Sequence, residues 1–227
     1  MKKQCSIAII TLAILVVGIL ASCTSGDEDT RNVPKEVKDM LSPDQQKSLE
    51  DNGMTINEGA NPPIIEGVYY NGSNYCIFDS TARYTNTYFS PYFWRFYDQV
   101  GTNIKVDYTA EAAEDTATGV GSFITGEGDL FSVFLEFSGI SDGVSYTAVT
   151  VVSGRRVSGG IELFMDGFIL TSKDTTADPD DSILAPVGMI RIFFENDGIA
   201  ESATWPTGLG VQDISSFFSR MNVAGSQ

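Results

Sequence analysis

From Asn61-Pro62-Pro63 to Trp205 apolar residues recur at every second position in short runs, and glycine, asparagine or aspartate stops most of the runs. Period two marks a strand that buries one face. The runs fall at 64–71, 74–80, 91–99, 103–109, 119–125, 130–138, 144–153, 160–171, 187–195 and 199–205. Between them stand Asn71-Gly72, Gly126-Glu127-Gly128-Asp129, Ser141-Asp142-Gly143, Ser153 to Gly160, and Asn196-Asp197-Gly198, all of them turn chemistry. Links this short make consecutive strands antiparallel, because a parallel crossover needs about a dozen residues or more. The chain is therefore predicted to be all-β: an antiparallel meander of about eight to ten strands closing into a barrel, with a sandwich as the alternative.

Which face each residue takes follows from the same alternation. Phe131, Val133, Leu135 and Phe137 share one face of their run, Ser132 and Glu136 take the other, and Phe134 breaks the rule. In the next run Tyr146, Ala148, Thr150 and Val152 oppose Thr147, Val149 and Val151. Strands so apolar on both faces must be covered on both sides or face a cavity. Before the sheet, Pro34 opens a short helix with Val37, Met40 and Leu41 on one side. Ser42-Pro43-Asp44-Gln45 restarts it, with Ser42 as cap, Pro43 at the first helical position and Gln45 placed to complete a capping box; Asn52-Gly53 ends it. Few apolar residues point inward from these helices, so they are expected to be a lid or spacer. After the sheet, Ile214, Phe217, Phe218 and Met221 within Val211 to Met221 predict a C-terminal helix that flanks it.

At the amino end, Lys2 and Lys3 precede an uncharged run from Ile7 to Leu20 that is apolar but for Thr11, the layout of a signal peptide. A stable membrane span takes roughly twenty residues, more than this run supplies. Leu20-Ala21-Ser22-Cys23 resembles the lipobox of bacterial lipoproteins, which implies cleavage before Cys23 and acyl chains on it. More than one chain is enough for stable anchoring. The acidic run Asp27-Glu28-Asp29 is similar to the surface-export signal of Bacteroidetes lipoproteins; a plain solvated tether is the alternative. The expected organisation is a signal peptide over 1–22, a lipidated tether over 23–33, a helical spacer over 34–60 and a β-barrel domain with its C-terminal helix over 61–227. The expected address is the outer membrane at the cell surface, with the periplasmic leaflet as alternative.

Charge and composition remove several function classes. With 1–22 gone, 12 basic side chains face 30 acidic ones, so the surface repels phosphate backbones and nucleic acid is not an expected partner. Anionic lipid headgroups are repelled too, and attachment to the membrane falls to the acyl chains. There is no histidine, which excludes Ser-His-Asp and Cys-His catalysis and imidazole-based zinc sites. Of three cysteines, Cys5 leaves with the signal and Cys23 is lipidated, so Cys76 stands alone without an intrachain disulfide. It lies in an alternating stretch and reads as a small buried apolar residue.

Eight aromatics crowd 84–97. In a strand, Tyr92, Trp94 and Phe96 fall on one face and Phe93, Arg95 and Tyr97 on the other. Such a stretch can be a pocket in which aromatic faces take an apolar ligand or a sugar ring while Arg95 fixes a polar end, or it can be a heavily aromatic core with Arg95 at the rim. Gly67-Val68-Tyr69-Tyr70 resembles the Gly-x-Trp-Tyr opening of lipocalins, with Tyr69 in place of the tryptophan, and the resemblance implies that this aromatic closes the bottom of the barrel. The whole layout is similar to surface lipoproteins of Bacteroidetes with a lipocalin-like (calycin-like) β-barrel: acidic tether, short helix, Gly53-Met54, Pro62-Pro63, Gly67-Val68-Tyr69, Gly126 to Gly128, Arg191-Ile192-Phe193 and Trp205-Pro206. That resemblance implies a fold and no activity.

Three functions remain open. The first is a non-enzymatic module binding a small apolar or glycan ligand, with Tyr69, Tyr92, Trp94, Arg95, Phe96, Tyr97 and Trp205 lining the site. The second is an adhesion or interaction scaffold with a filled core. The third is a glycoside hydrolase using a carboxylate pair, for which Glu195 and Asp197 flank a turn. Asp174, Asp178, Asp180 and Asp181 offer hard oxygens to calcium but lack the EF-hand spacing, so a solvated loop is the expected reading. Arg155-Arg156 at a hairpin tip reads as a surface pair. No cofactor and no metal is called for.

Overall fold

The computed structural model describes residues 29–110, 116–118, 120–141, 144–182 and 184–206. Two helices, α1 (Lys35–Met40) and α2 (Pro43–Asp51), precede the strands β1 (Ala60–Asn61), β2 (Gly67–Asn71), β3 (Asn74–Asp79), β4 (Thr87–Tyr88), β5 (Tyr92–Val100), β6 (Asn103–Ala110), β7 (Thr116–Thr118), β8 (Val120–Glu127), β9 (Leu130–Ser141), β10 (Val144–Val157), β11 (Gly160–Lys173), β12 (Ile190–Glu195) and β13 (Ile199–Ser202). Each of the ten expected runs contains a strand. The additional ones, β1, β4 and β7, have two or three residues each, too short to show an alternation.

Pairing makes the sheet a closed meander. β12 and β13 lie end to end along β11, and β2 and β3 lie end to end along β13 and β12. β4 and β5 hold one offset against β3 and β2, since Tyr75 faces Tyr88 and Tyr70 faces Phe93 at the same register. Each of these pairs is thus one long, bent strand. Counted so, eight antiparallel strands follow one another around the barrel, and the last, β12 with β13, pairs with the first, β2 with β3. The ladder is shortest beside β6, where β7 and β8 pair end to end over five residue pairs in all: 107–109 with 116–118, then Asn103 with Phe123 and Ile104 with Ser122.

A single carboxylate fixes the level at which two of the long strands bend. Glu195 is fully buried and accepts the Ser73 backbone N–H on both oxygens (3.0 and 3.1 Å) and the Asp197 N–H at 3.3 Å. The Asn196 N–H donates to the Ser73 carbonyl at 3.0 Å. The β2–β3 and β12–β13 corners are therefore tied to one another. Burial raises the Glu195 carboxyl above its usual range, and the backbone donors oppose that rise.

Inside the ring, alternate residues form one apolar cluster that includes Tyr69, Trp94, Phe96, Tyr108, Phe131, Val133, Leu135, Tyr146, Val152, Phe164, Phe168 and Phe193. Tyr69 lies with its hydroxyl on the Ile65 carbonyl (3.0 Å) and the Arg156 guanidinium 5.7 Å over its ring. Arg156 is thus half-buried against an interior ring, while its neighbour Arg155 stays at the surface with Glu162.

The helices do more than the sparse apolar count suggested. Val37, Leu41, Leu49 and Met54 pack on the outer wall against Phe134, Val149, Val151, Met165, Ile169 and Ile192, forming a second core. This explains Phe134: it points outward, but under a helical layer. The layer sits close enough that a Cβ on Gly167 would meet Met54 and Leu49 at 3.3 and 3.4 Å. The capping box is present, with Ser42 Oγ accepting the Gln45 N–H and Gln45 Oε1 accepting the Ser42 N–H. From α2 the chain crosses the wall at Gly59, whose carbonyl accepts the Gly126 N–H, and β1 pairs parallel with β8. The expected signal peptide over 1–22, Cys23 and the expected helix over 211–221 lie outside the described residues.

Candidate functional site

The barrel wall divides the residues expected to line one pocket. Tyr69, Tyr92, Trp94 and Phe96 point inward and are 1, 6, 2 and 1 % exposed. Trp94 packs on Tyr108, Phe164 and Phe96 with ring centroids 5.0, 6.0 and 6.4 Å apart, so these aromatics serve as core. Arg95, Tyr97 and Trp205 lie on the outside. The Arg95 guanidinium is 4.7 Å from the Trp205 ring and 4.9 Å from the Tyr97 ring, and it pairs with Asp107. A charged side chain on a strand whose other face is core needs water or a carboxylate, and Arg95 has both, with its side chain 39 % exposed.

A different set of residues converges where the loops after β3 and β11 meet at one mouth of the barrel. There a cavity of about 340 Å³ is lined by Thr81, Arg83, Tyr84, Asp181, Ser182 and Arg191, with Ala185 and Pro186 beside them. Arg191 faces inward because Ile190 and Ile192, its neighbours on β12, face the outer core. Its Nε and one terminal nitrogen both donate to Asp79 Oδ2, at 2.8 and 2.7 Å. The guanidinium lies 4.7 Å over Tyr84, 5.6 Å from Phe89 and 5.8 Å from Phe168. Asp79 Oδ1 accepts from the Thr81 N–H and hydroxyl, which fixes the loop that carries Arg83. On the facing loop, buried Lys173 donates to Asp178 and Asp181, each at 2.6 Å, and Asp178 also accepts the Ser182 and Leu184 N–H groups. Partner charges raise the Lys173 ammonium above its usual range, against the opposing and larger single effect of burial. Guanidinium donors, hydroxyls and the Asp181 carboxylate thus face one polar cavity on loops that ion pairs hold in place.

This geometry revises the acidic loop, expected to be solvated. Asp178 is buried and bound to Lys173, and Asp174 Oδ1 caps the Thr176 and Ala177 N–H groups. Among the described residues no cluster of three acidic or thiol groups is placed to hold a metal. Glu195, one of the two turn carboxylates, is committed to the strand corners.

Two titratable groups sit deeper. Cys76 is fully buried, its Sγ 3.3 Å from the Phe78 carbonyl, and burial pushes the thiol up to about 12. At neutral pH it is therefore a thiol and a poor nucleophile. Asp166 lies between Phe164 and Phe168 on the inner face of β11, beside Val152 and Phe193, and burial pushes its carboxyl up to about 7. Thr150 Oγ1 and Trp94 Nε1 are also buried without a hydrogen-bond partner among the described residues.

Sequence reasoning gave no site role to Arg83, Arg191, Asp79 or Lys173. The signal was present for Arg191: once Ile190 and Ile192 are assigned outward, a charge has to point into the barrel. For the Lys173–Asp178 pair it was absent, because the loop folds back only in three dimensions. No family model, no curated protein and no solved structure matches this chain.

Proposed function

We propose that the chain is a non-enzymatic binding module anchored at the cell surface through acyl chains on Cys23, and that it takes a small glycan at the mouth of the barrel. The observation that carries the reading is the polar cavity itself. Its size falls in the lower part of the range of small-ligand sites. Donors on Arg83 and Arg191 and an acceptor on Asp181 match the mixed donor and acceptor pattern of neighbouring sugar hydroxyls. The loops are pre-ordered, which spares a ligand the cost of arranging them. An apolar ligand fits less well, since the aromatics that would have lined its pocket are packed against one another.

A thermal-shift and calorimetry screen of neutral and acidic mono- and disaccharides tests this. A ligand that binds only the folded state adds about 2.7 kcal/mol at one hundred times its Kd. Arg83→Ala, at an exposed position, is expected to remove the shift without lowering the melting temperature of the free protein; Asp181→Asn should remove it too, at a lower melting temperature, because it takes one of the two carboxylates from buried Lys173. No shift with any sugar defeats the reading. The anchor has its own measurement: Cys23→Ser is expected to move the protein from the membrane to the soluble fraction.

A second reading, an interaction scaffold, is favoured by the outward cluster of Trp205, Arg95 and Tyr97, beside the Tyr70–Phe93 ring pair at 4.8 Å. Trp, Tyr and Arg are the residues that most often dominate protein interfaces. Trp205→Ala would weaken a partner complex and leave sugar binding unchanged.

A further inference from the structure

On the outer wall, away from the barrel mouth, lies a cavity of about 240 Å³ whose lining is mostly apolar. Met165 and Phe194 form part of its wall, and exposed Leu130 and Leu163 stand at its edge. Thr55 belongs to the segment that crosses over from α2, and two residues on Asn57 ties that segment down: its N–H donates to Ser132 Oγ at 2.8 Å and its Nδ2 to the Phe131 carbonyl at 2.9 Å. Ser153 also lines the cavity. Ser153 is 1 % exposed and its hydroxyl has no hydrogen-bond partner among the described residues.

Two features make this a built site rather than a packing defect. A buried hydroxyl left unpaired is a standing cost that a ligand atom can remove. Leu163 is held at φ +54 in a bulge of β11, where the pairing with β10 shifts between Ser153 and Arg155, and half of its surface stays exposed. A bulky residue rarely adopts that backbone conformation, and strain of this kind collects at ligand sites.

We propose that this cavity binds a small aromatic molecule carrying one hydrogen-bonding group, which pairs with Ser153 Oγ while the ring lies against Met165, Phe194 and the two leucines. The size sets the class. An apolar cavity of about 150 Å³ accepts benzene, so this one has room for a fused bicycle such as indole. It lies apart from the glycan site and does not depend on it.

The test uses the full-length protein and two probes, 5-fluoroindole and 5-fluoroindene, which differ in the N–H. Fluorine line broadening measures their affinities. The wild type is expected to bind both and to prefer the indole about fivefold, the worth of one net hydrogen bond. Thr55→Trp, at an exposed position, fills the cavity from its outer side and should abolish binding at an unchanged melting temperature. Ser153→Ala removes an unpaired hydroxyl, folds normally, and should abolish the preference while retaining the affinity for indene. No saturable broadening with the wild type, or broadening that survives Thr55→Trp, overturns the site. A preference that survives Ser153→Ala overturns the role of the hydroxyl.

Discussion

Asp166 is the residue at which the barrel interior departs furthest from a plain apolar core. Its carboxyl, ordinarily near 3.8, is pushed to about 7 by burial, so the folded chain holds a proton that the unfolded chain releases between those values. The sign follows: the stability tied to this group is intact below about pH 4, falls as pH rises to about 7, and is lost above it, a difference of roughly 4 kcal/mol. Asp166→Asn is expected to flatten that stretch of a denaturation-against-pH curve and to raise the melting temperature at pH 8. Arg191 shows the opposite case, a buried charge with its partner in place. Asp79→Ala leaves the guanidinium uncompensated and is expected to cost about 3–5 kcal/mol by urea denaturation, whereas replacing both residues by apolar ones of similar size should recover most of that. Cys76 should resist maleimide in the native protein at pH 8 and react fully in urea, read by the mass of its peptide.

At the scale of elements, the strands were legible because each carries its own alternation and its own stop. The joining of β2 to β3 and of β12 to β13 was not, because the long strands bend at Gly72-Ser73 and Asn196-Asp197-Gly198, which look locally like hairpin turns. What keeps them aligned is Glu195, more than a hundred residues from Ser73. The helices were misjudged for a related reason. Their few apolar side chains suggested a spacer, and the surface that receives them was written elsewhere, in the second apolar face of β9, β10 and β11. Leu49, fully buried in that outer core, supplies the test: Leu49→Ala should cost about 2–5 kcal/mol, against about 1 kcal/mol for removal of the Ser42 cap in Ser42→Ala. The candidate site was the least legible part. Its residues come from two loops and two strands, and its one local clue was a charge inside an apolar run.

For the whole molecule, closure matters more than the number of strands, because the ring leaves as one-sided edges among the described residues only the two- and three-residue strands β1, β4 and β7. Closure is uneven. β9, β10 and β11 are paired over eleven or twelve residues with each neighbour in that trio, while β6 meets β7 and β8 in two separate pieces, three residue pairs at 107–109 and two at 103–104. Local opening follows the weaker pairing, so amide exchange should be fastest around 103–104 and 122–123 and slowest along β10. Equal protection at both places would contradict the pairing described. The route of the amino-terminal segment has a mechanical meaning. A pull on the chain at residue 29 is met first by Asn32, whose N–H donates to Glu58 and whose carbonyl accepts the Gly59 N–H, and it reaches the helices when those bonds give. Lifting the helices then uncovers the oily outer wall at Phe134, Val149 and Ile192, with the barrel behind it still shut.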